Sequence, residues 1–155
     1  MKVLEVRVLL QRVLEASVAS DGELTGRIGR GLCAFVGVTH TDGELTATKL
    51  ADKVWNLRVF EDSAGLMNLS VAETSREILV VSQFTLYGDS SKGRRPSFVE
   101  AARPEHAEPL IHLFCQRLES HGAELGLGRF RTEMQVHIVN DLSLIHISEP
   151  TRQAS

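Results

Sequence analysis

The chain has 155 residues, of which 43% are hydrophobic and 24% charged, and this suits one globular domain built on one core. Its 17 basic and 20 acidic residues give a formal charge of -3, which argues against a protein that coats DNA or RNA through a broad excess of Lys and Arg, yet leaves room for gripping the end of an RNA. No apolar stretch approaches the roughly 20 residues of a bilayer span, and Glu5, Arg7, Gln11 and Arg12 interrupt the apolar amino end, so a soluble cytoplasmic protein with no membrane partner is expected.

The first half reads as strands. "VLEVRVLLQRV" and "ASVAS" are rich in β-branched and aliphatic residues, and the Asp21-Gly22 pair after them favours a tight hairpin turn because both residues tolerate positive φ. "GRIGRGLCAFVGV" adds a short strand, a glycine turn and an almost continuous apolar run of the kind covered on both faces. Ala47, Leu50, Val54 and Leu57 then fall on one helical stripe, which predicts a helix over 43–57, with Thr41 and Glu44 spaced as a capping box. Asp62-Ser63-Ala64-Gly65 marks a turn, and "EILVVSQF" is a buried strand that ends on polar residues. Residues 88–103, with Lys92, Arg94 and Arg95 as the one compact basic cluster, form a surface loop.

A second helix is expected over 104–122, with Pro104 in its first turn, Ala107, Ile111, Phe114 and Leu118 on its apolar stripe and Gly122 at its close. Pro109 removes a helical hydrogen bond, so the helix is expected to begin near Glu108 or to kink in its first turn. "TEMQVHIV" supplies a further strand. The order gives an α/β fold: a single layered domain with a mixed β-sheet and two main helices. Cys33 lies inside an apolar run and Cys115 in a helical pattern, so both are expected to be reduced core residues rather than a disulfide or metal ligands. His106 and His112 are six residues apart and do not share a helical face, so no metal site and no cofactor is expected.

Seven stretches, in order, resemble the D-aminoacyl-tRNA deacylase family: "LQRVLEASV" (10–18), "GRIGRGL" (26–32), "FEDSAGLMNLSV" (60–71), "ILVVSQFTLYGD" (78–89), "GRRPSF" (93–98), "GRF" (128–130) and "MQVHIVND" (134–141). The resemblance implies a homodimer that hydrolyses the ester between a D-amino acid, or mischarged glycine, and the terminal adenosine of a tRNA, a chiral proofreading step of translation. In the family the site is built by the "SQFT" turn, here Ser82, Gln83, Phe84 and Thr85, and by an Asn-x-Gly-Pro-Val-Thr motif whose Gly-cisPro enters the partner subunit's site and rejects L-amino acids.

An aminoacyl ester is already activated, so its hydrolysis needs a placed water and donors for the developing oxyanion more than a strong side-chain nucleophile. The backbone N–H groups of Phe84 and Thr85, where the strand stops pairing, are the candidate donors, with the Gln83 and Thr85 side chains fixing the turn; the resemblance adds the terminal ribose 2′-hydroxyl to the attack. An ordinary strand end uses the same polar residues to satisfy its turn. Ser82 or Thr85 as a nucleophile with a histidine base finds no triad context. Arg12 resembles the family arginine that braces the Gly-cisPro loop, against the alternative of an exposed strand charge. Arg94 and Arg95, with Lys92, are candidates for terminal phosphates, or a solvated loop. Phe130 and Met134 are candidates for an adenine pocket, or for core packing.

The sequence departs from the family after Asn140-Asp141, where Leu142-Ser143-Leu144-Ile145 replaces Gly-Pro-Val-Thr. Residues 1–141 read as the deacylase-like domain and 142–155 as an atypical tail, of the kind that a frameshift, a splicing difference or joined foreign sequence produces. "LSLIHIS" is apolar enough to complete a sheet and "SEPTRQAS" polar enough for disorder. A cis Leu-Ser bond costs about 2.5–4 kcal/mol, so weak hydrolysis or reduced D-over-L discrimination is expected. The alternative is a catalytically silent relative that binds tRNA 3′ ends or only dimerises.

Overall fold

The computed structural model of the protein describes residues 5–91, 93–141 and 145–150; Lys92 and the Leu142-Ser143 pair lie outside the described residues. The elements run β1 (Glu5–Ser20), β2 (Glu23–Ile28), β3 (Gly31–Gly37), α1 (Glu44–Asn56), β4 (Phe60–Glu61), β5 (Met67–Leu69), α2 (Val71–Thr74), β6 (Glu77–Ser82), a 3-10 turn (Phe84–Tyr87), α3 (Pro104–Ser120), β7 (Leu125–Leu127), β8 (Met134–Asn140) and β9 (Ile145–Pro150). The mixed α/β sheet is present: β1 pairs antiparallel with β2, β3, β8 and β9, while β3–β6 and β6–β7 are parallel.

β1 has 16 residues, about 50 Å of extended chain, and is shared between two halves of the sheet. Its first half, Arg7–Val13, lies against β3, and its second half, Ala16–Ser20, against β2. On its other edge Glu5–Leu10 pairs with β9 and Val13–Ser20 with β8. Irregularities at Val13/Glu15 and Val18/Ala19 bend the strand between these partners. The β1–β2 connection is the tight turn read from the sequence, with φ of 49° at Asp21 and 82° at Gly22.

Alternation along β3 and β6 divides the core. Leu32, Ala34, Val36, Ile78 and Val80 face α1 and α3 and pack with Leu50, Val54, Phe114 and Leu118. Cys33, Leu79 and Val81 face the other way and meet Val13, Val18 and Ile28, covered by Met134, Val136 and Ile138 of β8. The "GLCAFVG" run is therefore covered on both faces, as its composition implied. β9 takes the sheet position beside the start of β1, burying Ile147, and its pairing continues through Ser148–Pro150.

Two local expectations change, and two short elements are added. The α1 cap is Gly43 rather than Thr41: the Thr46 Oγ1 accepts the Gly43 N–H at 3.0 Å, because the chain turns into the helix two residues later than the Thr-x-x-Glu spacing suggests. α3 begins at Pro104 and runs through Pro109, whose exposed side leaves the unpaired carbonyl one turn back to solvent. α2 and the 3-10 turn are too short to leave a periodic signal. Among the described residues no helix is long and apolar enough to cross a membrane.

Candidate active site

The buried strand β6 carries the chain outward to Ser82, opposite Val36 of β3, and the Gln83 N–H makes one more bond to the Val36 carbonyl at 2.8 Å. There the strand stops. The 3-10 turn closes on the Gln83 and Thr85 carbonyls, which accept from Leu86 at 3.3 Å and Gly88 at 2.9 Å. The Phe84 and Thr85 N–H groups belong to the first turn, so they have no acceptor within it. The Gln83 amide donates to Thr85 Oγ1, which holds the turn from its outer side. Arg7 anchors the far end: its guanidinium lies over the Tyr87 ring at 4.7 Å and donates to the Leu86 carbonyl at 2.9 Å.

Ser82, Gln83 and Phe84 form one wall of a cavity of about 570 Å³, within the ordinary size of a small-molecule site. The start of α3, through Pro104, Ala107 and Ile111, forms a second wall, and Phe130, Arg131, Thr132 and Met134 a third. Gly128 lets Met134 approach, since a Cβ at 128 would fall 2.5 Å from its sulfur. Arg131, at φ 61°, reaches Glu105 at 3.5 Å and Glu108 at 3.8 Å, tying the third wall to α3.

Phe98 completes the rim, its ring edge-on to Phe84 at 5.1 Å. The segment that carries it is fastened to the end of β3: the Ala102 N–H donates to the Val38 carbonyl at 2.9 Å, Thr39 Oγ1 donates to the Glu100 carbonyl, and His40 Nε2 lies 2.6 Å from the Val99 carbonyl.

The structure thus brings five sequence-identified residues, Ser82, Gln83, Phe84, Phe130 and Met134, into one cavity, with Thr85 on the adjoining turn. Arg94 and Arg95 are exposed in a loop closed by reciprocal 2.7 Å bonds between Asp89 and Ser97, and are outside the lining, although that loop leads directly into Phe98. Arg12 is elsewhere. It is only 7% exposed, not a free strand charge, and donates to Asp141 Oδ2 at 3.0 Å and the Val59 carbonyl at 2.8 Å.

Sequence reasoning missed Phe98, Arg131 and the α3 wall; the apolar stripe of α3 signalled burial, but not that its first turns would face a cavity. His112 and Ser82 border a side chamber of about 150 Å³, yet no hydrogen bond joins Ser82 to a histidine among the described residues. Cys33 and Cys115 are free and buried, and burial pushes both thiols up to about 12, with Glu119 adding to the rise at Cys115, so neither is a thiolate nucleophile at neutral pH.

An apolar cavity at the end of a buried strand, with the first residue of a 3-10 turn in its wall, defines a small α/β protein with a site of the size that holds a small ligand. The family model described as D-Tyr-tRNA(Tyr) deacylase matches residues 9–147, and the chain belongs to that family. It is 52% identical over 136 residues to a D-aminoacyl-tRNA deacylase of Brevibacillus brevis, covering 88% of this chain and 94% of that one. It is 48% identical over 136 residues to a D-aminoacyl-tRNA deacylase of Bacillus cereus, covering 88% and 93%. Among solved structures, one described as c-Myc DNA unwinding element binding protein superposes with a TM-score of 0.86 at 37% identity, covering 94% of this chain and 99% of that one. A probable eukaryotic D-amino acid tRNA deacylase superposes with a TM-score of 0.81 at 15% identity, covering 94% and 100%, which shows the shared fold.

Proposed function

We propose that this chain hydrolyses the ester of D-aminoacyl-tRNA, releasing the D-amino acid and the tRNA, and that the cavity beside the end of β6 receives the aminoacyl-adenosine end. The observation that supports this reading is the 3-10 turn at Phe84–Tyr87, which begins where β6 stops pairing and whose first residue, Phe84, lines the apolar cavity with Ser82 and Gln83. The adenine packs between Phe130 and Met134, an aromatic and a thioether surface that accept a flat base. The Phe84 and Thr85 N–H groups then receive the ester carbonyl oxygen as negative charge develops on it. They are held in place by the turn, so little reorganisation is required as the charge forms.

Gln83 and Thr85 act as positioning residues through the bond between their side chains. Arg94 and Arg95 meet phosphates near the tRNA end, and Arg12 positions the close of β8 through Asp141. The working form is a cytoplasmic homodimer, and mischarged glycine is a second substrate. Leu142-Ser143 stands where the family has Gly-Pro, and we infer weaker rejection of L-amino acids from the loss of a main-chain wall that only glycine allows so close to a substrate.

Single-turnover hydrolysis of D-tyrosyl-tRNA by the wild type and by Phe130→Ala tests the cavity assignment. The variant is expected to need a higher enzyme concentration for half-maximal rate while keeping its maximal rate within a few-fold. A wild-type chain that hydrolyses the ester while Phe130→Ala is unchanged in both would move the adenine elsewhere.

A further inference from the structure

The sheet carries a second recess at the opposite end of its parallel strand pair. In the β3–β6 register Gly31 faces Glu77 and Val36 faces Ser82, so the two ends are separated by five residue steps, roughly 17 Å. The recess, of about 190 Å³, is lined by Arg12, Arg30, Phe60, Glu61, Arg76 and Asp141 beside Val13, and shares no residue with the Ser82 cavity.

Three guanidinium groups meet two carboxylates there, and Arg12 engages both: Asp141 at 3.0 Å and Glu61 at 3.7 Å. Neither Arg30 nor Arg76 makes an ion pair or side-chain hydrogen bond among the described residues. The Arg76 guanidinium lies over the Phe60 ring at 5.7 Å, and its Nε is buried without a hydrogen-bond partner. Arg7 offers the contrast: its Nε is also buried and its guanidinium also lies over a ring, but it donates through another nitrogen to the Leu86 carbonyl. Arg76 has no such outlet. Among the described residues Arg76 is thus a guanidinium without an anionic or carbonyl partner beside the recess, and an incoming oxyanion at its terminal nitrogens supplies one.

We propose that this recess binds a phosphate group through Arg76 and Arg30. The Arg76 guanidinium, over the Phe60 ring, offers two N–H groups to two oxygens, and exposed Arg30 closes on a third. Arg12 keeps Asp141 and Glu61 from competing for these two cations. The group recognised is the same whether it belongs to a free phosphate or to an RNA backbone.

The test follows the Arg76 Nε–H signal of arginine-labelled full-length chain by NMR during addition of inorganic phosphate, with chloride at matched ionic strength as reference. A saturable shift specific to phosphate is expected, with a Kd on the order of 1 mM, weakened about tenfold in Arg30→Gln. Deacylated tRNA separates the sources. If it moves the same signal and phosphate competes with it, the group is an RNA phosphodiester; if it leaves the signal in place while phosphate moves it, the ligand is a free phosphate. The proposal is overturned if neither moves the signal beyond chloride, or if Arg30→Gln responds like the wild type.

Discussion

Replacing Arg12 by Met keeps most of the side-chain stem but removes every donor, and the structure sets the cost. The Val59 carbonyl, on a residue only 6% exposed, loses a charge-assisted bond of 2.8 Å, and a buried acceptor left unsatisfied costs about 1–3 kcal/mol. Asp141, whose side chain is 34% exposed, can turn to water, so its lost pair adds about 1 kcal/mol or less. Glu61 is 3.7 Å away and 58% exposed, and its loss is neglected. Arg12→Met should therefore destabilise the fold by about 1–4 kcal/mol, which for a domain of this size lowers Tm by roughly 2–16 °C. Thermal and urea unfolding, the latter with m unchanged, measure this. Arg12→Lys should recover part of the loss, since an ammonium reaches one of the two partners. A folded Arg12→Met protein with Tm within about 2 °C of the wild type would refute the reasoning and leave Arg12 without a structural role.

Three further outcomes are expected. Thr85→Ala should keep measurable hydrolysis, whereas Thr85→Pro, which deletes the N–H, should remove about 3 kcal/mol of transition-state stabilisation; abolished hydrolysis in folded Thr85→Ala would assign the chemistry to the hydroxyl. Neutralising Arg94 and Arg95 together should flatten the salt dependence of tRNA binding and leave saturated turnover nearly unchanged, and an unaltered slope would return them to the solvated loop. Asp52 is held at about 2 against an ordinary 3.8, chiefly by the Arg117 bond at 2.7 Å and then by His121 at 2.6 Å. A depressed carboxylate contributes stability above its unfolded pKa and loses it as pH falls through the folded one. Stability should thus decline between about pH 4 and 2, and Asp52→Asn should show a shallower decline in acid unfolding.

The strands, the Asp21-Gly22 turn and the two long helices were legible because period 2, period 3.6 and turn chemistry are local. The Ser82–Thr85 turn was legible as a break in an apolar run, and Phe130 and Met134 as aromatic and apolar surface suited to a base. What the sequence hid lies in long-range contacts. Arg12 meets partners 47 and 129 residues away, and no local pattern distinguishes it from an exposed strand charge. Phe98 sits in a polar loop, and its place at the cavity rim depends on the bonds that fasten residues 99–102 to the end of β3. Pro109 allowed a helix start near Glu108 or a kinked first turn; the start is instead at Pro104, because propensity omits the tertiary packing of Ala107, Leu110 and Phe114 on either side of it.

The most direct measurement is hydrolysis of matched D- and L-tyrosyl-tRNA by the purified unmodified chain, against the uncatalysed rate. The expected result is accelerated release of D-tyrosine accompanied by a measurable rate on the L-form, with the D-preference raised when residues 142–145 are replaced by Gly-Pro-Val-Thr. A folded chain that leaves D-tyrosyl-tRNA at its uncatalysed rate would contradict the deacylase reading, and fast, strictly D-selective hydrolysis would contradict the inference drawn from Leu142-Ser143.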